Sequence, residues 1–513
     1  MPGRSDMRRR GSITVFASLL FMLVASLLFS LLEGARVTML GAYADMATEL
    51  SVESVFAEYQ PCLWEDYQLL CLDGAYGGSA FSEDYAAGVL GSRVRENLRQ
   101  EGDGGRMMQL FCQSAVTEEY QLLTDGDGQV FLHCVAENMK KTLPQAAAQL
   151  LYERYVGGQA VGEESHVEES ILDAKQALAD AAEQENDGEK DGGRESSGQS
   201  AVQKSGSRAV PVETPANAPS GANPLDAALA SKQSLLLAQV LPDTAQLSVK
   251  SIDGGEFLED RQLQRGNSTN IPRTGWYEKI LAMEYADQHF SDFSVSGGDR
   301  VIDYELEYLV AGKNSDKENL EAVVGRILLM REAANVVHIM TDPDKRLMVS
   351  EMALGLAGVT VNAAVIKAVE YGLIGAWAYA ESVLDVRALL CGDKIALVKS
   401  DAQWTSSLGN LAQLFAGSLR ATDCANGWSY QGYLKGFLFL LREKTLAYRM
   451  MDMMEQNLRS IYLYRNSRMD HMISAADYTV DYGADTLFWK FSVLGQEDIG
   501  RLQYQTRQSF SYY

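Results

Sequence analysis

Residues 12–32 carry no charge, are almost wholly apolar, and follow a leader holding Arg4, Arg8, Arg9 and Arg10. Twenty-one such residues in a helix reach about 31 Å at ~1.5 Å per residue, the thickness of a bilayer's hydrocarbon core. After the segment only Arg36 follows closely, beside Glu33. The excess of arginine on the leader predicts a cytoplasmic N-terminus and a bulk that lies outside the cytoplasm. A chain built this way folds around one anchored end, and most cytosolic enzyme classes drop out.

Two other fates of the segment stay open. A secretory signal also pairs a basic start with an apolar stretch, and Ala42-Tyr43-Ala44 supplies a small-residue cleavage pattern, although this apolar run exceeds the usual signal core of ~7–15 residues. The second fate is prepilin-type processing between Gly11 and Ser12, which would leave the helix on the mature protein. An uncut anchor is the simplest reading. Glu33 and Arg36, three residues apart, are expected to form an ion pair at the membrane boundary.

Charge bounds the partners. The chain carries 69 Asp and Glu against 45 Lys and Arg, and nearly all the acidic excess lies beyond the leader. Such a surface repels nucleic acid and anionic headgroups, so no nucleic acid is expected as a partner, and no cofactor or small-molecule ligand is inferred. Membrane lipid is the expected environment of the apolar helix. Its small residues Ala17, Ser18, Ala25 and Ser26 would let other envelope or pilus-like subunits approach closely. Six cysteines in 513 residues do not form a disulfide framework. Pairing of Cys62 with Cys71 or Cys112 with Cys134 is open, beside the plainer reading of small buried thiols.

The spacing of apolar residues sets the expected organisation: a cytoplasmic basic leader (1–11), a transmembrane helix (12–32), a helical stalk (33–60), a small α+β domain (61–158), a disordered linker (159–224) and a larger, helix-rich domain (225–513). The fold class is α+β, rich in helix. In the stalk, Val37, Leu40, Ala44, Ala47, Ser51 and Val55 recur at steps of three and four, and Pro61 marks its end. A strand is expected within 107–123 and a helix through Val130, Phe131, Cys134, Val135 and Met139 up to Pro144. Between them, Thr124-Asp125-Gly126-Asp127-Gly128 reads as a turn and helix cap, because a calcium loop needs glycine and glutamate where Val130 and Ala136 stand. From Asp187 to Pro224 the chain is Gly, Ser, Pro and charge, too poor in apolar surface to offset the entropy of ordering.

In the C-terminal part, Tyr304–Val310 alternates like a strand. Gly312-Lys313 is not preceded by the glycine of a phosphate-binding loop. Ser315 and Glu318 fit a capping box. Leu320, Val323, Val324, Ile327, Leu328, Ala334 and His338 form a helix face that runs to Pro343. Residues 352–380 contain a 15-residue uncharged piece before Lys367, short for a second span, and read as a buried helix or helical hairpin. Tyr430 to Met454 reads as one long helix and Tyr478 to Phe491 as strand.

Enzyme signatures are weak, and no enzyme is predicted. The five histidines show no two at metal-ligand spacing, and no nucleophile elbow exists. Glu381 and Asp385 lie one helical turn apart, an arrangement open to acid–base work in a membrane-tethered envelope hydrolase. The competing expectation is that an arginine such as Arg331 or Arg387 pairs with them.

Basic leader, Gly11-Ser12 and an unbroken apolar helix, GSITVF…LLEGARV, resemble the N-terminus of TadE/TadG-like pseudopilins, with one departure: Phe16 stands where those signals carry glutamate, which puts polymerisation as a major subunit in doubt. The segments YELEYLVAGKNSDKENL, LLMREAANVVH, AWAYAESVLDVRALLCGDKIALVKSDAQW and LLTDGDGQVF resemble an uncharacterised family of Gram-positive membrane-anchored proteins. The resemblance implies an envelope protein serving as a structural or assembly component of a Tad-like pilus or secretion apparatus. It implies no chemistry.

Overall fold

The computed structural model describes residues 6–98, 108–159, 172–177, 179–180, 223–241, 244, 247–252, 256–295, 298–358, 362–417, 419–487 and 501–513, with backbone alone for 6–12, 157–159 and 416. Most of the expected linker, and the leader before Asp6, lie outside the described residues. The fold is α+β and helix-rich, with one small antiparallel sheet.

The chain divides into two compact units that interleave along the sequence. The first gathers 1–144, 255–282 and 442–513, and the second 145–254 and 283–441. This differs from the linear division at 61–158 and 225–513. The reason is strand pairing: the strand near residue 480 finds its partner near residue 115, and apolar periodicity carries no information about such pairings.

In the first unit a 51-residue helix, Asp6–Phe56, holds the apolar segment and the expected stalk without a break. No proline interrupts it, and the next one, Pro61, opens a second helix, Pro61–Tyr67, capped by the Gln60 side chain. Leu40, Ala44, Ala47, Ser51 and Val55 are buried as their spacing predicts. They face a sheet whose long central strand β3 (Met472–Asp485) pairs antiparallel with β2 (Phe111–Leu122), β4 (Arg501–Ser511) and the two-residue β1 (Leu72–Asp73). Tyr478, Val480 and Tyr482 of β3 join Leu40, Val52 and Val55 in one core with Leu90 and Val94 of helix Glu83–Asn97. Phe56 stacks on Phe510 with centroids 4.2 Å apart, and Thr48 Oγ1 lies 2.7 Å from the Tyr482 hydroxyl. The stalk is thus one layer of a helix-on-sheet body rather than a free neck. The Asp125–Gly128 turn forms as expected: Gly126, Asp127 and Gly128 all take positive φ before the helix proceeds to Met139.

The second unit is helical. Helix Asp316–Thr341 starts at Ser315, whose Oγ accepts from Glu318 N, and buries the predicted face from Leu320 to Ala334. Pro343–Ala357 and Ala363–Leu390 form the expected helical hairpin. The second of these buries Val369, Leu373 and the run Ala376–Leu389 inside the unit, as a core helix does.

Two expectations are corrected. Tyr304–Val310 is helix, Glu305–Ala311, ended by Gly312 at φ 67°. Its alternation misleads because Glu305 and Glu307 are buried like their apolar neighbours: Ser291 N donates to Glu305 and Phe293 N to Glu307. The long helix from Tyr430 is two, Tyr430–Leu440 and Glu443–Ser460, broken where Leu441 and Arg442 turn extended without proline or glycine. Within 478–491, β3 ends at Asp485 and residues 488–491 lie outside the described residues. All six cysteines are free thiols, with Cys71 and Cys134 buried.

Candidate functional site

The apolar segment and the collar at its C-terminal end come first. Among the described residues one helix is long and apolar enough to cross a membrane, Ile13–Phe56, and its apolar window has no buried part. Phe16, Phe21 and Leu31 are more than 60% exposed. Two serines of this stretch bond their own helix: Ser18 Oγ donates to Val15 O (2.8 Å) and Ser26 Oγ to Leu23 O (2.9 Å). A polar side chain that bonds its own helix can sit in hydrocarbon, where an unsatisfied one is costly. Gly11 and Ser12 lie on this helix, with side chains outside the described residues.

Packing begins abruptly at Glu33. Arg36 Nη1 donates to Glu33 Oε1 at 2.9 Å, and both side chains are buried. Arg36 Nη2 donates to Asp485 O (2.8 Å), Leu487 N donates to Glu33 Oε1 (3.2 Å), and the Tyr504 hydroxyl donates to Val37 O (3.1 Å). The expected ion pair therefore forms, and with Tyr504 it ties the ends of β3 and β4 to the first turns after the apolar segment.

Glu381 and Asp385, the sequence's candidate acid–base pair, are fully buried on helix Ala363–Leu390. Arg331 Nε donates to Asp385 Oδ2 (2.9 Å), and Lys399 Nζ reaches both Glu381 and Asp385 Oδ1, the latter at 2.5 Å. Thr405 N and Ser406 N also donate to Glu381. The arginine partner is Arg331, whereas Arg387 donates to the carbonyls of Gln239, Leu414, Phe415 and Leu419.

Sequence spacing missed one cluster. His338, Asp342 and Asp401 bring three ligand-type atoms within 4.8 Å of one another. His338 and Asp342 end one helix four residues apart, a signal that a search restricted to paired histidines overlooks. Lys345 already bonds both carboxylates, so an ammonium is the cation that pairs with them in this structure. A metal would have to displace it.

The first unit also holds a polar cleft of about 1210 Å³, lined by the Asp125–Asp127 turn, the segment 258–271, and Lys444 with Tyr448. Arg261 forms its floor: Nη1 and Nη2 donate to the two oxygens of Glu455 (2.6 and 2.7 Å), and Nη2 also donates to Asp470 (2.7 Å). Asp125 accepts from Leu122 N and Gly266 N, and burial raises its carboxyl above the ordinary value. Burial likewise pushes Asp452, which accepts from Leu258 N, up to about 7. The partners of Arg261 stand about 200 positions away, and no local pattern announces them.

These features define a helix-rich α+β protein with one apolar N-terminal helix rooted in a helix-on-sheet body. Residues 215–484, just over half of the chain, match a family model described as a family of unknown function (DUF5702), and the chain belongs to that family. No curated protein and no solved structure matches it.

Proposed function

We propose that the chain is a single-pass membrane protein of a Gram-positive envelope, N-terminus in the cytoplasm and bulk outside, that serves as a structural or assembly component of a Tad-like pilus or secretion apparatus. The observation that carries this reading is the contrast along one continuous helix: from Ile13 to Leu32 none of the described residues buries the apolar side chains, while from Glu33 onward the same helix is a core layer. The arginine-rich leader supports the orientation. Ala17, Ser18, Ala25 and Ser26 support association through the span, since their small side chains permit close helix approach. Release by signal peptidase after Ala44 fits poorly, because Ala44 and Leu40 are fully buried against the sheet and the cut would sever that layer. We read the chain as non-enzymatic, with Glu381 and Asp385 held by Lys399 and Arg331.

N-terminal sequencing of the membrane-fraction protein tests the reading. A terminus at Ser12 supports prepilin-type entry into a pilus-like assembly, Met1 supports a plain anchor, and Asp45 refutes the anchor. Intact protein washed off membranes by alkaline carbonate, or left untouched by protease on whole protoplasts, also refutes it.

A further inference from the structure

We propose that Lys399 and Asn335 become joined by an intramolecular amide bond, formed by the protein itself with Asp385 as proton relay. Three observations meet at one carboxylate. Lys399 Nζ lies 2.5 Å from Asp385 Oδ1. Asn335 Nδ2 donates to the other oxygen, Oδ2, at 3.1 Å, and to Ser382 Oγ at 2.9 Å. Asn335, Asp385 and Lys399 are 1%, 0% and 5% exposed, so an amine and a carboxamide address the two oxygens of one buried acid–base group.

The groups that face this carboxylate set its chemistry. Arg331 Nε holds Oδ2 at 2.9 Å and keeps Asp385 oriented between its two partners. Glu381, fixed by Thr405 N (3.1 Å) and Ser406 N (2.7 Å), holds Nζ from the opposite side. Two cations and two carboxylates balance in this cluster, and the proposed reaction begins when one proton passes from Nζ to Asp385, leaving an amine and an acid. The free amine attacks Asn335 Cγ. The new Nζ–Cγ bond forms as the Cγ–Nδ2 bond breaks. A second proton from Nζ passes through Asp385 to Nδ2, which leaves as ammonia. The third stays on the new amide, and the first remains on the carboxylate pair, so the cluster stays neutral. No oxidant or co-reactant is needed. Closeness and orientation replace an outside catalyst, as in other intramolecular reactions of high effective molarity.

The product would tie the segment after helix Ala363–Leu390 covalently to helix Asp316–Thr341.

Mass spectrometry of the full chain, extracted in detergent and digested with trypsin, decides the matter. The expected result is one branched peptide in which residues 332–345 are joined to 395–420 without cleavage after Lys399, lighter than the two parts by about 17 Da, the mass of ammonia. Lys399→Arg and Asn335→Ala abolish this peptide. Asp385→Asn leaves Lys399 and Asn335 unjoined, and a bond formed in that variant overturns the relay. Linear wild-type peptides, cleaved after Lys399 and with no loss of mass, overturn the proposal. The wild-type digest alone is decisive, so a variant that fails to fold does not blunt the test.

Discussion

Glu307 offers a pH experiment whose sign and size follow from its surroundings. The carboxyl is wholly buried in helix Glu305–Ala311, accepts from the Tyr430 hydroxyl (2.7 Å) and Phe293 N (2.9 Å), and leaves Oε2 without a hydrogen bond. Burial, with Asp292 nearby adding repulsion, pushes it up to about 8 from an ordinary 4.5, against the opposing pull of its two donors. The folded chain therefore keeps a proton that the unfolded chain loses above about pH 4.5. Stability from this group is complete below that pH and is lost as pH climbs toward 8, by ~1.4 kcal/mol per pH unit. Replacing Glu307 with Gln keeps the shape and hydrogen-bonding capacity and removes the titration. At pH 4 the variant and wild type should differ by less than about 1 kcal/mol, while at pH 8 the variant should be more stable by up to about 4 kcal/mol. Urea melts of the detergent-solubilised chain, followed by tryptophan emission, read this directly, because Trp377, Trp404 and Trp428 lie in the same unit. A stability gap that stays constant between pH 5 and pH 8 refutes the reasoning.

Asp452→Asn applies the same logic to the other unit. Its carboxyl sits at about 7, so the gap over wild type should open between pH 4 and 7 and reach about 4 kcal/mol, read by the same melts. Arg261→Met strips the shared cation from Glu455 and Asp470, both buried, and should cost ~3–5 kcal/mol. Arg261→Lys should recover little of that in a thermal melt, since an ammonium cannot span both oxygens of Glu455 and still reach Asp470. Gly128→Ala places a methyl 2.7 Å from the Ala447 Cβ at a φ of +85°, and should lower stability by ~1–3 kcal/mol in urea. A wild-type midpoint would contradict that geometry.

How far the fold could be read from residues depended on whether a signal was local. Leu40, Ala44, Ser51 and Val55 announced a buried helical stripe because a helix repeats its face every three to four residues, whatever it packs against. The partner stayed hidden, since nothing near residue 50 mentions Tyr478 or Phe510. The Asp-Gly-Asp-Gly turn was legible because glycine at positive φ is a property of a few consecutive residues. Tyr304–Val310 misled for a physical reason. Alternation implies strand only if its polar positions face water, and Glu305 and Glu307 instead take backbone N–H groups in the interior. The same blindness to distance governed the sites. Glu381 and Asp385 stood out at one-turn spacing, and Arg331 was named among their expected partners. Lys399 closed the cluster from 14 residues beyond Asp385, and Asn335 entered it from another helix.

The family match sharpens what the apolar helix does for the fold. The matched region, 215–484, ends one residue before β3 does, and it excludes β2 and β4, the two long strands that pair with β3 on either side. It excludes helix Asp6–Phe56 as well, whose Leu40, Val52 and Val55 share a core with Tyr478, Val480 and Tyr482. A central strand cut from both neighbours exposes two rows of backbone donors and acceptors along with its apolar faces. The matched stretch is therefore not a folding unit in itself. Its last strand is completed by segments on either side of it, and one of those segments is the direct continuation of the apolar helix. The collar of Glu33, Arg36, Asp485 and Tyr504 stands where the two meet.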